Sequence, residues 1–445
     1  MFNLLKKLWR DRRGNALIIA GASLPLIIGS AGLASDTVQW ALWKRQLQRA
    51  ADSAALAGVY AEAQGKAVSN CDNYTSATYV KPVGWDVKTN NKAWPTTTCT
   101  VQNPPTSGSY TADNYAVKVN LSVQQTLPFS GMFVSAAPTI TAAATATLVD
   151  TGQFCMVALN NTSSPGITVG GSSSANLGCG AISNSTSSTS SVDPNGASYT
   201  FNATPVASVG GMPSSINGAT DLQPYHVAEP DPFASKYPTS VPSGMNCTNF
   251  QTHTVSNSGN GNGGGNGNNS GPISLTPGCY TSFNPSGGGT YTMQPGTYYL
   301  NNTDFSPGGG VTITGTGVTI ILTGTNPGSV NLDGNETIQL SAPTSGTYSK
   351  MLFIQSSAAS LNNLNKINGT SSSYFDGAMY FPTGQVQLNG TSAAMTQCAM
   401  VVGWTIDISG NANLQNSLTR VDANGNTVPC DANQTVSAKV VRLVE

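Results

Sequence analysis

The residues with the most chemical potential are eight cysteines, Cys71, Cys99, Cys155, Cys179, Cys247, Cys279, Cys398 and Cys430, spread widely and with no Cys-x-x-Cys pair among them. That spacing speaks against a zinc site and against thioredoxin-like exchange, both of which need close pairs. In an oxidising compartment an even set pairs off, and nearest neighbours give Cys71 with Cys99, Cys155 with Cys179, Cys247 with Cys279 and Cys398 with Cys430. In a reducing compartment the same eight are buried free thiols. The two histidines, His226 and His253, lie in Ser-, Pro- and Gly-rich stretches and have no partner of the kind a Ser-His-Asp or Cys-His site requires. Acid and base work on a glycan needs clustered carboxylates with a cation close by, and the candidates Asp304, Asp333, Glu336 and Asp376 are scattered. They read as solvated turn residues. No cofactor motif is present: the glycine run Ser256 to Gly271 has neither a Lys-Ser/Thr ending nor a helix after it and reads as linker.

Composition narrows the partners. Charged residues make up 9% of the chain, against about 25% in ordinary globular proteins. Between Lys118 and Lys350 the only cation is Lys236, so no basic face exists for nucleic acid. The net charge of −1 gives the body no long-range field, and a neutral, hydroxyl-rich surface recognises partners by shape and hydrogen bonds.

The elements that carry this body begin with a membrane signal. Lys6, Lys7, Arg10, Arg12 and Arg13 precede Gly14 to Ser35, twenty-two residues without a charge. At about 1.5 Å per residue that run crosses the roughly 30 Å hydrocarbon core of a bilayer, and the cations before it orient the N-terminus to the cytoplasm. Pro25 falls mid-span, where a membrane helix tolerates it. A cleaved signal peptide ending near Gly32-Leu33-Ala34 is the competing reading, and a buried soluble helix a third; the first two export everything after residue 36. Asp36 to Gln64 continues without proline as an extended helix. Its alanine face, Ala50, Ala54, Ala57 and Ala61, is narrow enough for a second helix or a small sheet to approach closely, and Trp40 and Trp43 suit the headgroup boundary.

This segment resembles the N-terminal segment of TadE/TadG-like proteins of tight-adherence, Flp-type pilus systems. The likeness rests on Arg12-Arg13-Gly14, Leu24-Pro25 in the span, the Gly-Leu-Ala-x-Asp exit from Gly32 to Asp36, and the Leu-Gln-x-Ala-Ala-Asp-x-Ala-Ala-Leu-Ala stretch from Leu47 to Ala57. It covers about 50 residues, with weaker similarity to about residue 150. Processed prepilins of such systems carry Glu at the fifth position after the cut; Ile19 stands there, so the sequence looks more like the uncleaved TadG-like anchors. Some members carry a von Willebrand A-type domain with an Asp-x-Ser-x-Ser metal site. Here Asp407-Ile408-Ser409-Gly410-Asn411 ends in Asn with 34 residues after it, too few to complete that fold. The resemblance implies pilus-assembly partners reached through the N-terminal helix.

The sequence therefore predicts an α+β chain. A basic segment (1–13), a transmembrane helix (14–35) and an extended helix (36–64) lead into a small pilin-like β module (65–150) with strands near Ala116 to Val123 and Pro138 to Val149. Residues 151–445 read as a parallel β-solenoid, from short β-branched runs separated by Gly and Asn, with loop insertions at about 185–242 and 256–271. A β-sandwich is the alternative, kept open by Asn217-Gly218, Asp333-Gly334 and Asn389-Gly390. Three functions follow: a non-enzymatic single-pass anchor of pilus assembly in the inner membrane, an adhesin-like module binding a glycan or surface, and a carbohydrate-active enzyme on a β-helix.

Overall fold

The fold is built from one long helix and many short strands. The computed structural model describes residues 12–63, 68, 98–196, 198–250, 254–255, 272–368, 370, 372–389, 398–416, 419–421, 427–429 and 435–444; within the helix the described side chains begin at Ile19 and omit Ala20. The chain divides into two units, Met1–Val149 with Val441–Glu445, and Asp150–Val440.

In the first unit, helix α1 (Arg12–Ala63) runs unbroken through Pro25 and joins the two helical stretches expected from sequence. Strands β1 (Thr98–Gln102), β2 (Val117–Gln124) and β3 (Thr139–Ala158) form an antiparallel meander, with Cys99 opposite Leu121 and Val119 opposite Ala144. Burial alternates along β2, as a half-buried strand requires. Its inward residues Val117, Val119, Leu121 and Val123 join Ile140, Ala142, Ala144 and Ala146 of β3 against Leu47, Ala50, Ala51, Ala54, Ala55, Val59 and Ala61 of α1. Alanine on both surfaces lets helix and sheet come close, and the larger Val, Leu and Ile side chains supply most of the apolar burial, about 1.5–3 kcal/mol each. Along β3 the carbonyls of Thr141, Ala143 and Thr145 receive Lys44 Nζ, Gln48 Nε2 and the amide of Val444. The last residues of the chain thus belong to this unit, a placement the sequence reading, which assigned them to the C-terminal domain, did not foresee.

The second unit is a stack of parallel strands. One ladder runs Cys247–Thr248, Gly278–Tyr280, Gly296–Asn301, Val318–Thr323, Met351–Gln355, Ala378–Asn389 and Met400–Ile408. It then continues, by pairing Val401 with Met156, through the end of β3 to Gly180–Ser183, Val206–Ser208 and Leu222–Pro224. Spatial order is not chain order: the first strand of the unit sits mid-stack, between a late strand and an early one. A second parallel ladder joins Ile273–Leu275, Thr290–Met293, Thr312–Thr316, Thr337–Ser341 and Tyr374–Asp376. A third joins Asn363–Asn368, the far halves of Ala378–Asn389 and Met400–Ile408, Ile167–Gly170 and Val192–Asn195.

Between the ladders lies an apolar interior with aromatic rings stacked from one level to the next, Tyr280 on Tyr298 and Phe283 on Phe305, at 6.0 and 5.1 Å between centroids. Corners are made by glycine and asparagine. Gly324 takes φ +109, and a Cβ there would lie 2.3 Å from Asn302 Oδ1, which itself accepts the Asn326 amide one level on. Asn217-Gly218 lies between two strands that pair in parallel, not in the hairpin a sandwich would place there. Gly390 lies outside the described residues. In this unit Thr254–Val255 pairs antiparallel with Ile273–Leu275, and Thr419–Val421 with Thr427–Pro429; none of the described sheets closes into a barrel.

Residues 185–242, expected as a loop insertion, are built into the fold instead. They contribute strands Val192–Asn195, Thr200–Asn202, Val206–Ser208 and Leu222–Pro224 and bury Phe201, Val206 and Ile216. The misleading serines are internal: the Ser183 and Ser191 hydroxyls both donate to backbone carbonyls, and Ser191 also bonds Ser183. After Pro224 the chain returns along the outside of the first ladder. His226, Glu229 and Asp231 bond Ser208, Asn184 and Tyr380 in turn, Phe233 packs on Tyr380, and Pro238 accepts the Tyr348 hydroxyl. This strap covers the ladder's outer apolar face, Phe154, Ile182, Ile321, Met351 and Ile354 among others. The run 256–271 lies outside the described residues.

Candidate functional site

Two faces of α1 differ in what covers them. Of the expected alanine face, Ala50, Ala54 and Ala61 pack on the meander of their own unit, the small sheet rather than the second helix, while Ala57 is only part-buried. Upstream, the large apolar side chains are bare: Ile19, Leu24, Leu26, Ile27, Ile28 and Leu33 are each more than half exposed, Leu26 at 76%. At about 3.6 residues per turn Ile19 and Ile28 face opposite ways, so this is not one stripe awaiting a protein core. The hydroxyls in the stretch turn inward, Ser30 to the Ile27 carbonyl and Thr37 to the Leu33 carbonyl. Among the described residues no helix is long and apolar enough to cross a membrane. The uncharged run starts at Gly14, ahead of the first described side chain.

At the downstream end of that run sits Asp36, 4% exposed. Its two carboxylate oxygens accept the backbone amides of Phe129 and Ser130, at 2.8 and 2.6 Å. These N–H groups lie at the start of the 3-10 turn Ser130–Met132, so a residue from another element caps it. Burial raises the Asp36 pKa, but hydrogen bonds from the Phe129 amide and from the Ser130 side chain and amide outweigh it, and the carboxyl titrates below its ordinary value. One turn earlier, Gly32 offers bare backbone, and a Cβ there would fall 2.3–2.5 Å from the Phe129 ring. Gly32 and Asp36 together form a socket for the loop between β2 and β3.

Of the membrane-orienting cations, Lys6, Lys7 and Arg10 lie outside the described residues, and Arg12 and Arg13 lie in α1 without a described side chain. Disulfides join Cys155 to Cys179 and Cys247 to Cys279. Cys99 and Cys398 are also disulfide-bonded, whereas Cys71 and Cys430, the mates expected for them, are not among the described residues. His253 is likewise outside them.

The structure gives the remaining candidates local structural partners. Asp304 accepts the Ser329 amide, and Glu336 accepts the amides of Asp333 and Gly334. Asp376 ends a ladder strand. His226 is buried against the Phe154 ring with Nδ1 2.8 Å from the Val227 carbonyl, and burial lowers its pKa. Asp407 bonds Gln387 and Ser409 on the third ladder, at a groove of about 430 Å³ also lined by Thr168, Asn195 and Thr405. Among the described residues no group of three His, Cys, Asp or Glu side chains is placed to hold a metal. The Gly32–Asp36 socket was missed by sequence reasoning, although the exit motif puts both residues on one helix face, four apart.

Residues 14–64 match the family described as putative Flp pilus-assembly TadE/G-like. This segment is TadE/G-like. The TadE/G-like segment coincides with α1 and contains both the bare apolar stretch and the Gly32–Asp36 socket. No curated protein and no solved structure matches the chain.

Proposed function

We propose that this chain is a non-enzymatic, single-pass anchor of a Flp-type pilus assembly system, held in the inner membrane by Gly14–Ser35 with the β-rich body outside the cytoplasm. The observation that carries the reading is the set of apolar side chains left bare all round α1 upstream of Asp36. In water each would cost about 1.5–3 kcal/mol relative to burial; in hydrocarbon they are at home, and the inward-turned Ser30 hydroxyl suits that solvent. Five cations ahead of the run set the orientation. Disulfides in the body suit an oxidising compartment. We read the parallel ladders as the coils of a β-solenoid, a rigid spacer that carries load through backbone hydrogen bonds and needs no catalytic centre.

Alkaline carbonate extraction of a cell lysate tests the anchor. The full chain stays with the membrane pellet on this reading; release into the supernatant refutes it. A second reading, glycan or surface binding, is favoured by the groove at Thr168, Asn195, Gln385, Thr405, Asp407 and Ser409, whose amide, hydroxyl and carboxylate lining matches sugar hydroxyls. Saturable retention on a glycan array, lost on Asp407→Ala, would support it; no retention on any glycan would count against it.

A further inference from the structure

We infer that the tip of the loop between β2 and β3, Met132-Phe133-Val134, enters the non-cytoplasmic leaflet of the bilayer beside α1 and acts as a second membrane contact. The inference rests on the anchor reading above and adds to it.

Four observations carry it. The tip is apolar and bare, with Met132 77%, Phe133 74% and Val134 54% exposed, more than a water-facing loop has reason to display. It is continuous with the apolar run of α1: Asp36 and Gly32 hold Phe129 at the last turn of that run. No charged residue occurs between Lys118 and Asp150.

The fourth observation concerns the backbone. Every backbone amide from Phe129 to Val134 is bonded within the protein: Phe129 and Ser130 to Asp36, Gly131 to Leu127, Met132 to Phe129, and Phe133 and Val134 to Ser130. A loop among acyl chains must satisfy its amides internally, and the amides of this one are so satisfied. Lipid is the occupant we favour because the tip is apolar, lies in a stretch without charge and continues the apolar run of α1.

The test uses the full chain reconstituted in phosphatidylcholine and phosphatidylglycerol vesicles. Met132→Cys is labelled with a nitrobenzoxadiazole probe under non-reducing conditions, with Ser107→Cys as control and the unsubstituted chain as background. Ser107 is exposed near the opposite end of β2. Quenching by lipids spin-labelled high on the acyl chain should be several-fold stronger at position 132 than at 107. If the chain floats with the vesicles but both probes are quenched alike, the loop claim fails and the anchor stands; the tip then faces water or a protein. If the chain does not float, both fail. Should the added thiol disturb the disulfides, Phe133→Trp with brominated lipids replaces it: the extra emission relative to the parent is quenched if the tip is inserted and unquenched if it is not.

Discussion

Asp36 holds Phe129 across more than ninety residues of chain: one carboxylate oxygen accepts the Phe129 amide at 2.8 Å and the other accepts Ser130 at 2.6 Å. The contact ties the end of the bare apolar helix to the loop joining β2 and β3. Both part-buried amides lose this acceptor if the carboxylate goes.

Asp36→Ala should therefore free the loop without unfolding the ladder unit. Limited proteolysis is the measurement, with new cleavage between Leu127 and Val134 in the variant and none in the parent. Because the Asp36 pKa is lowered in the fold, its contribution is present above the ordinary carboxylate value of 3.8 and is lost as pH falls through the depressed one. Acid should expose the same sites in the parent.

Gly32→Ala reverses a usual rule. In an exposed helix the change adds about 1 kcal/mol of stability. Here the new Cβ falls 2.3 Å from the Phe129 ring, so the ring must leave its seat. Thermal melting in detergent should show no gain, and loop proteolysis should rise; a higher midpoint with the loop still protected would contradict the socket.

Glu229, on the strap, has its pKa raised to about 7 by burial, which Lys439 only partly offsets. The folded state then holds a proton that the unfolded chain has released, so the strap's stability is greatest near pH 4.5 and falls as pH rises through 7. A shift of this size corresponds to about 3 kcal/mol. The buried His226, whose pKa is lowered, works in the opposite sense, costing stability as pH drops below the usual histidine value of 6.5. Glu229→Gln should flatten the decline between pH 4.5 and about 7 in denaturant titrations, and an unchanged slope would contradict the assignment.

The bond between Cys247 and Cys279 closes a segment with sequence separation 32 and fastens the outermost strand of the first ladder. Its removal by the paired change to Ala should cost about 3–4 kcal/mol through the freed unfolded chain. Chemical denaturation compared with the reduced parent measures it; equal midpoints for parent and variant under oxidising conditions would contradict the role.

Much of this was legible along the chain because it is local. Alternation in Val117 to Val123 announced β2, and α1 followed from a proline-poor run of helix formers. What was hidden is long-range. Nothing near Val401 says that its neighbour is Met156, because stacking order departs from chain order. Ser185 to Pro242, rich in serine and proline, has the composition of a loop, yet Ser185 and Ser191 spend their hydroxyls on backbone carbonyls inside the stack. The candidate carboxylates were visible as residues, and only their partners showed Asp304 and Glu336 to be corner braces.

The central claim is that an apolar helix lies in lipid with the β-rich body delivered to the far side. Protease treatment of intact cells and of spheroplasts carrying a C-terminal epitope tests it most directly. The account predicts that the epitope is lost in spheroplasts while a fragment containing Arg12 and Arg13 stays with the membrane. An epitope cleaved only after the cells are lysed would place the body in the cytoplasm and contradict it.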